Sequence, residues 1–289
     1  MSHRDCLALI HIAHIVFSFD VGGLENGVVN ILNRLPNNIY RHSIICLTDF
    51  DPIFFDRINQ AKVEIYRLDK RPGKDFGYLI RLWRLLKQLR PDIVHTRNLT
   101  TLECQLAAWF GGIKHRIHGE HGWDSEAAKC DSKPAKIRKL FSPLISHYIA
   151  LSREGEKYLI DKTDVQAQRI SRICNGVDVD KFHPGQRTPT QTKLTIGSVG
   201  RLAEVKNQQL LIRAFARLLE LRVASRSALA LVIIGEGPSR SALQSLIDEL
   251  KLNEYCTLAG NRHDIPQAMR ELDIYVQPSK AEGISNTIL

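Results

Sequence analysis

Apolar runs of strand length alternate with stretches of helical period along almost the whole chain, and few folds accept that order. LALIHIAHIV is followed by Leu24, Val28, Ile31, Leu32 and Leu35 on one helical face. HSIICL, VEIYRL, the helix YLIRLWRLLKQL, PDIVHT, the helix LTTLECQLAAWF, HRIHGE, HYIALS and a helix from Arg153 to about Asp161 continue the pattern. Strands that are apolar throughout must be covered on both faces, which is the condition of a parallel sheet between helices. Across residues 175–193, NGVDVDKFHPGQRTPTQTK, the periodicity stops and Gly, Pro, Thr and Gln accumulate, as in a linker. The alternation restarts with KLTIGSVG, a helix carrying Leu210, Leu211, Ala214, Phe215 and Leu218, then ALALVIIG, SRSALQSLIDEL, CTLAG, IPQAMREL and DIYVQPS. The fold class is therefore α/β, with two consecutive domains over residues 1–174 and 194–289, the second shorter.

A net charge of +9 calls for an anionic partner: nucleic acid, an acidic lipid surface or a phosphorylated small molecule. Nucleic acid is disfavoured, because there is no zinc-finger spacing, no interleaving of aromatic and basic residues and no long basic tail. The six cysteines lie far apart without a C-x-x-C pair, as expected of free thiols in a reducing cytoplasm. MSHRDCLALIHIAHIVF lacks the parts of a signal peptide and reads as a buried strand. No apolar stretch approaches the roughly 20 residues needed to span a bilayer, so any membrane contact is peripheral.

Ligands of open α/β sheets bind beyond the carboxyl ends of the strands. The first such loop, FDVGGLENG, carries Gly22 and Gly23 before a helix starting near Leu24. Either the glycines admit an anion to the helix amino end, or they serve a tight turn. In the second domain GSVGRLAEVKN places Gly200, Arg201 and Lys206 on the way into a helix. Cations there oppose the helix dipole, and a bound diphosphate would turn the misfit into a matched site; the alternative is a solvated basic turn. His115, His118 and His121 recur every three residues, a spacing that sends strand side chains to opposite faces, so no metal site is expected from them. Asn98-Leu99-Thr100 has the form of a glycosylation sequon, which means nothing without a secretory signal.

Taken in order, GSVGRLAEVKNQQLLIRAFARL, LVIIGEGPSRSALQ, LAGNRHDIP and DIYVQPSKAEGISNTIL resemble the donor-site segments of the GT4 family of retaining glycosyltransferases. DVGGLENGVVNILNRLP, LRPDIVHTRN and GEHGWD resemble the first domain of the same family, and in particular sugar transferases of bacterial exopolysaccharide and exosortase-associated clusters. The resemblance implies the GT-B fold: two Rossmann-like domains whose parallel sheets face each other across a cleft. It implies transfer of a sugar from a nucleotide-sugar donor to a glycan or lipid-linked acceptor with retention at the anomeric carbon. Arg201 and Lys206 would neutralise the donor diphosphate, with no metal and no cofactor, and so stabilise charge that grows on the leaving group. Glu282 matches the first glutamate of the family's Glu-x7-Glu motif, near the transferred sugar. Gly283, Ile284 and Ser285 would present backbone N–H groups to sugar and phosphates. Gly235, Glu236 and Gly237 form a second donor loop, and Gly260, Asn261 and Arg262, with His263 after them, flank the nucleoside base. His121 matches a histidine that contacts the sugar, and Gly23, beside Gly22, the glycine facing the diphosphate. A nucleotide-sugar 2-epimerase of the same fold and an inactive nucleotide-sugar-binding fragment are the rival readings.

Two basic stretches bear on the acceptor. Arg81, Arg84, Lys87 and Gln88 share a face of YLIRLWRLLKQL, and KCDSKPAKIRKL forms a charged loop after GEHGWD. Either they are solvated surface, or they attach the first domain to an anionic membrane at up to about 1 kcal/mol per cation. The expected location is the cytoplasm, at the inner face of the plasma membrane. At the other end, Ser285 and Asn286 look like an N-cap pair with only Thr287 to Leu289 behind them. Counting from Glu282, the second glutamate of the motif would fall at position 290. The expectation is a C-terminally truncated chain with a weakened anion site and little or no activity.

Overall fold

A computed structural model describes residues 9–59, 62–73, 75–121, 133–185, 193–221, 228–262, 264–282 and 284–289. The chain forms two compact units, residues 1–175 and 176–289. In the first, strands β1 (Ile10–Val16), β2 (Tyr40–Cys46), β3 (Val63–Arg67), β4 (Ile93–Arg97), β5 (His115–Glu120), β6 (His147–Ala150) and β7 (Ile170–Arg172) form one sheet in the order β3-β2-β1-β4-β5-β6-β7. Every pairing in it is parallel. Its helices are α1 (Gly23–Arg34), α2 (Pro52–Phe55), α3 (Gly77–Leu89), α4 (Cys104–Phe110), α5 (Lys133–Phe141) and α6 (Arg153–Thr163).

Both faces of this sheet are covered, as apolar strands demand. Ala13 and Ile15 of β1 pack with Tyr78, Leu82 and Leu86 of α3 and Ala107 and Ala108 of α4. Val16 packs instead with Val28, Val29 and Leu32 of α1. Each fully buried leucine of α3 is worth roughly 1.5–3 kcal/mol. Strand order reverses between β1 and β4, the topological switch point of the sheet.

The second unit repeats the arrangement on four parallel strands, β8 (Leu194–Val199), β9 (Leu229–Ile234), β10 (Cys256–Gly260) and β11 (Ile274–Tyr275), in the order β10-β9-β8-β11. Helices α7 (Gln208–Glu220), α8 (Arg240–Glu249) and α9 (Ile265–Arg270) follow its first three strands. Ile212 and Phe215 of α7 and Leu243 and Ile247 of α8 close its core over Leu231 and Ile233.

Three expectations are corrected. KCDSKPAKIRKL is not a charged loop: from Lys133 it is helix α5, with Ala135 and Arg138 on its buried face. Its first four residues, 129–132, lie outside the described ones. LTTLECQLAAWF is not one helix, because a 3-10 turn over Leu99–Thr101 precedes α4. Ser285 opens a turn, its carbonyl accepting from Ile288 N at 3.2 Å and Leu289 N at 3.4 Å, and no helix.

Candidate functional site

In the second unit the carboxyl ends of all four strands carry the residues singled out from the sequence. Gly200 and Arg201 follow β8, Gly235 to Gly237 follow β9, Asn261 and Arg262 follow Gly260 at the end of β10, and Glu282 lies on the segment after β11. These loops are packed backbone to backbone. Gly200 N donates to Ile234 O at 2.9 Å, Gly235 N to Gly260 O at 2.8 Å, and Leu202 N to Glu236 O at 2.9 Å. The approach requires glycine at 235: with φ +134°, a Cβ there would lie 2.1 Å from Gly200 O.

Glu282 is the centre of the polar network. Its Oε1 accepts from Lys206 Nζ at 2.5 Å, from Ser279 Oγ at 2.6 Å and from Gln277 Nε2. Burial opposes ionisation of this carboxyl, but the bonds from Lys206 and Ser279 outweigh it and hold Glu282 below the usual glutamate range. Lys206 ends a short 3-10 turn, Glu204–Lys206, and Asn207 at φ 54° turns the chain from there into α7. Arg201 is exposed, and its carbonyl accepts from Gln208 Nε2 at 3.0 Å. The rim thus carries an exposed Arg201 on the loop after β8 and, five residues on, an ammonium paired to a carboxylate, cations able to receive an anion.

The other donor-loop residues are more committed. Glu236 accepts from Arg240 at 2.7 Å. Arg262 is tied to Asp264 at 2.9 and 2.5 Å and to Glu271 at 3.1 Å, so its guanidinium staples the loop to α9. Ser285 Oγ donates to Gln277 Oε1 at 3.2 Å, and Ile284 precedes it in a bend. Gly283 and His263 lie outside the described residues. Gln277 and Ser279 went unnoticed in the sequence; their one signal is two polar residues just after an apolar strand.

In the first unit Gly22 caps α1, and its carbonyl accepts from Asn26 N at 2.9 Å and Asn26 Nδ2 at 2.7 Å. The helix starts at Gly23, one residue earlier than its apolar pattern suggests. His121 follows β5. Its backbone N donates to Asn98 Oδ1 at 2.7 Å, while Asn98 N donates to Gly119 O at 2.8 Å, so Asn98 staples the ends of β4 and β5 together. Burial first, then the charge of Arg97 and of His118, pushes His121 down to about 3, so its ring is neutral at pH 7. Its Nε2 is buried without a hydrogen-bond partner among the described residues.

The residue before it, Glu120, receives Arg138 of α5 in a fork at 2.6 and 3.0 Å. Burial works against this carboxylate, yet His118 and Arg138 bring it down to about 2. Arg138 therefore belongs to the interior, and Lys139 beside it pairs with Asp164 at 2.5 Å. Arg81 of α3 is likewise engaged, with Asp75 at 2.8 Å and the Leu68 carbonyl at 2.9 Å, whereas Arg84, Lys87 and Gln88 are exposed. No group of three or more His, Cys, Asp or Glu suited to a metal ion occurs among the described residues.

Residues 21–181 match the family described as Glycosyltransferase Family 4, and residues 179–289 match Glycosyl transferases group 1. The Escherichia coli UDP-Gal:alpha-D-GlcNAc-diphosphoundecaprenol alpha-1,3-galactosyltransferase is 28% identical over 299 residues, which cover 97% of this chain and 76% of that enzyme. The Bacillus subtilis glycosyltransferase EpsF is 22% identical over 295 residues, covering 94% and 74%. Among solved structures, Anabaena Alr3699/HepE in complex with UDP and glucose superposes with a TM-score of 0.76 at 18% identity, over 96% of this chain and 77% of that one.

Proposed function

Since the chain belongs to glycosyltransferase family 4, we propose that it transfers a sugar from a nucleotide-sugar donor to a lipid-linked or glycan acceptor, with retention at the anomeric carbon, in the synthesis of exopolysaccharide or another cell-surface polysaccharide. The observation that carries this reading is the Lys206–Glu282 pair on the rim of the second unit, with exposed Arg201 on the same strand-end loop as Lys206. Lys206 is held at 2.5 Å by Glu282, so an arriving diphosphate finds a cation already oriented. As the glycosidic bond breaks, charge accumulates on the diphosphate, and fixed cations stabilise that state more than the ground state. These side chains then do the work a divalent ion does in other transferases. Neutral His121, whose Nε2 has no partner among the described residues, suits hydrogen bonding to a sugar hydroxyl and not proton delivery. Attack by the acceptor on the face the diphosphate leaves, with the diphosphate taking the proton, needs no dedicated base.

A lipid-linked acceptor is supported by the printed substrate of the Escherichia coli relative, a diphosphoundecaprenol-linked sugar. No helix among the described residues is long and apolar enough to cross a membrane. Contact with an anionic membrane would fall to α3, where Arg84 and Lys87 are exposed beside Trp83 and no carboxylate occurs from Gly77 to Leu89. A screen of radiolabelled nucleotide sugars against membrane extract, with and without chelator, tests the reading. Label should move into the lipid or glycan fraction; conversion of the nucleotide sugar without any acceptor would overturn it.

A further inference from the structure

Among the described residues of the first unit, one buried positive charge has no carboxylate among its hydrogen-bond partners. Arg97 ends β4 and is 2% exposed. Its Nη2 donates to His14 Nδ1 and to His95 Nδ1, each at 3.1 Å. A guanidinium has only donors, so both rings accept at Nδ1, carry their proton at Nε2 and are neutral. His14 passes its Nε2 proton on to His42 Nδ1 at 3.1 Å. His95 has no such outlet: among the described residues its Nε2 is buried without a hydrogen-bond partner, as are Arg97 Nη1 and His121 Nε2.

His95 and His121 converge over Gly119 of β5, where a Cβ would lie 3.2 Å from the Nε2 of His95 and 2.6 Å from that of His121. One full charge and the unpartnered N–H groups of Arg97 and His95 are therefore buried with no carboxylate hydrogen-bonded to them among the described residues. A water molecule would satisfy the hydrogen bonds but not the charge, and burial opposes a cation that has no counter-charge in contact. Glu25 of α1 contributes a favourable field, but its carboxylate is folded over Gly22, where a Cβ would meet Oε2 at 2.1 Å. The spot lies at the carboxyl ends of β4 and β5, beside the β1/β4 switch point where such sheets take ligands.

We propose that Arg97, His95 and His121 form a subsite for one anionic oxyacid group, phosphate or carboxylate, carried by the acceptor. The assignment to the acceptor rests on the transferase reading; the binding of an anion does not. The charge selects for a substrate bearing an oxyanion, and His95 Nε2–H, together with an N–H of the neutral His121 ring, supplies the remaining hydrogen bonds.

The test is a titration of the full chain, labelled with 15N in its histidine rings, with inorganic phosphate and separately with acetate, against chloride at equal ionic strength. The background is Arg201→Ala/Lys206→Ala, so that anions at the other rim are not read in their place. One of the two anions should move the His95 and His121 ring resonances saturably, and which one does distinguishes a phosphorylated acceptor from a carboxylated one. Arg97→Gln should abolish the shifts and Arg97→Lys should weaken them. Absence of shifts with both anions, or equal shifts in Arg97→Gln, overturns the subsite. Should Arg97→Gln fail to fold, the comparison of Arg97 with Arg97→Lys decides. In the chain with Arg201 and Lys206 intact, Arg97→Lys should raise the acceptor KM at least about tenfold, roughly 1.4 kcal/mol, with the donor KM unchanged. Anion binding with an unmoved acceptor KM overturns the assignment to the acceptor, and anion binding without any sugar transfer overturns the transferase reading alone.

Discussion

Replacing Arg138 by Met should cost the first unit about 3 to 5 kcal/mol, because it strips the counter-charge from a carboxylate that has no route to water. The side chains of Arg138 and Glu120 are 5% and 2% exposed, the fork measures 2.6 and 3.0 Å, and His118 Nε2 stands 3.3 Å from the same carboxylate. For a unit of this size such a loss lowers Tm by roughly 10 °C. The double replacement Glu120→Leu/Arg138→Met should recover most of it, since a buried ion pair exchanged for apolar side chains is close to neutral. Trp83, Trp109 and Trp123 all fall within residues 1–175, so tryptophan fluorescence during urea unfolding reports this unit alone. Acid gives an independent readout. Glu120 titrates at about 2 in the folded chain against 4.5 for the free side chain. Below pH 4.5 the unfolded chain takes up a proton that the native carboxylate refuses, so stability falls as the pH drops through this window, by on the order of 3 kcal/mol at its foot. In Glu120→Gln that contribution should vanish. A loss under about 1 kcal/mol in Arg138→Met, or an acid profile unchanged by Glu120→Gln, would refute the buried pair.

Lys206→Ala should lower kcat by about 10²- to 10³-fold in single-turnover transfer assays, the scale for losing one fixed charge at a developing anion, with little change in unfolding. Gly235→Ala sets a Cβ against the Gly200 carbonyl at 2.1 Å in a φ of +134°; it should destabilise the second unit by at least about 2 kcal/mol, read from amide exchange of β8 and β9. Arg84→Ala/Lys87→Ala should weaken sedimentation with phosphatidylglycerol vesicles by about 2 kcal/mol, roughly thirtyfold, and leave phosphatidylcholine vesicles unaffected.

Much of the site was legible because glycine and strand ends are local signals. Gly200, Gly235 and Gly260 stand where apolar runs stop, and the fold gathers them because the strands that carry them are neighbours in one sheet. The second basic stretch was misjudged for the converse reason. Nothing in KPAKIRKL distinguishes Arg138 from Lys136, yet one is buried against Glu120 and the other is exposed. Asn98, read as an empty sequon, proves to join two loops, a role that depends on β4 lying beside β5.

Hydrophobic periodicity by itself determined that strands would alternate with helices, that both sheets would be parallel, and that the first would be covered on two faces. Burial pattern is a property of each segment and needs no knowledge of its neighbours. The charge partners were decided only by tertiary structure. Lys206 finds Glu282 across 76 residues, and Arg97 reaches His14 across 83, because strand order and register bring distant loop and strand ends together. Once buried, a charge takes its energy from whatever lies within a few ångströms, and that list is written by the fold and not by the order of the residues.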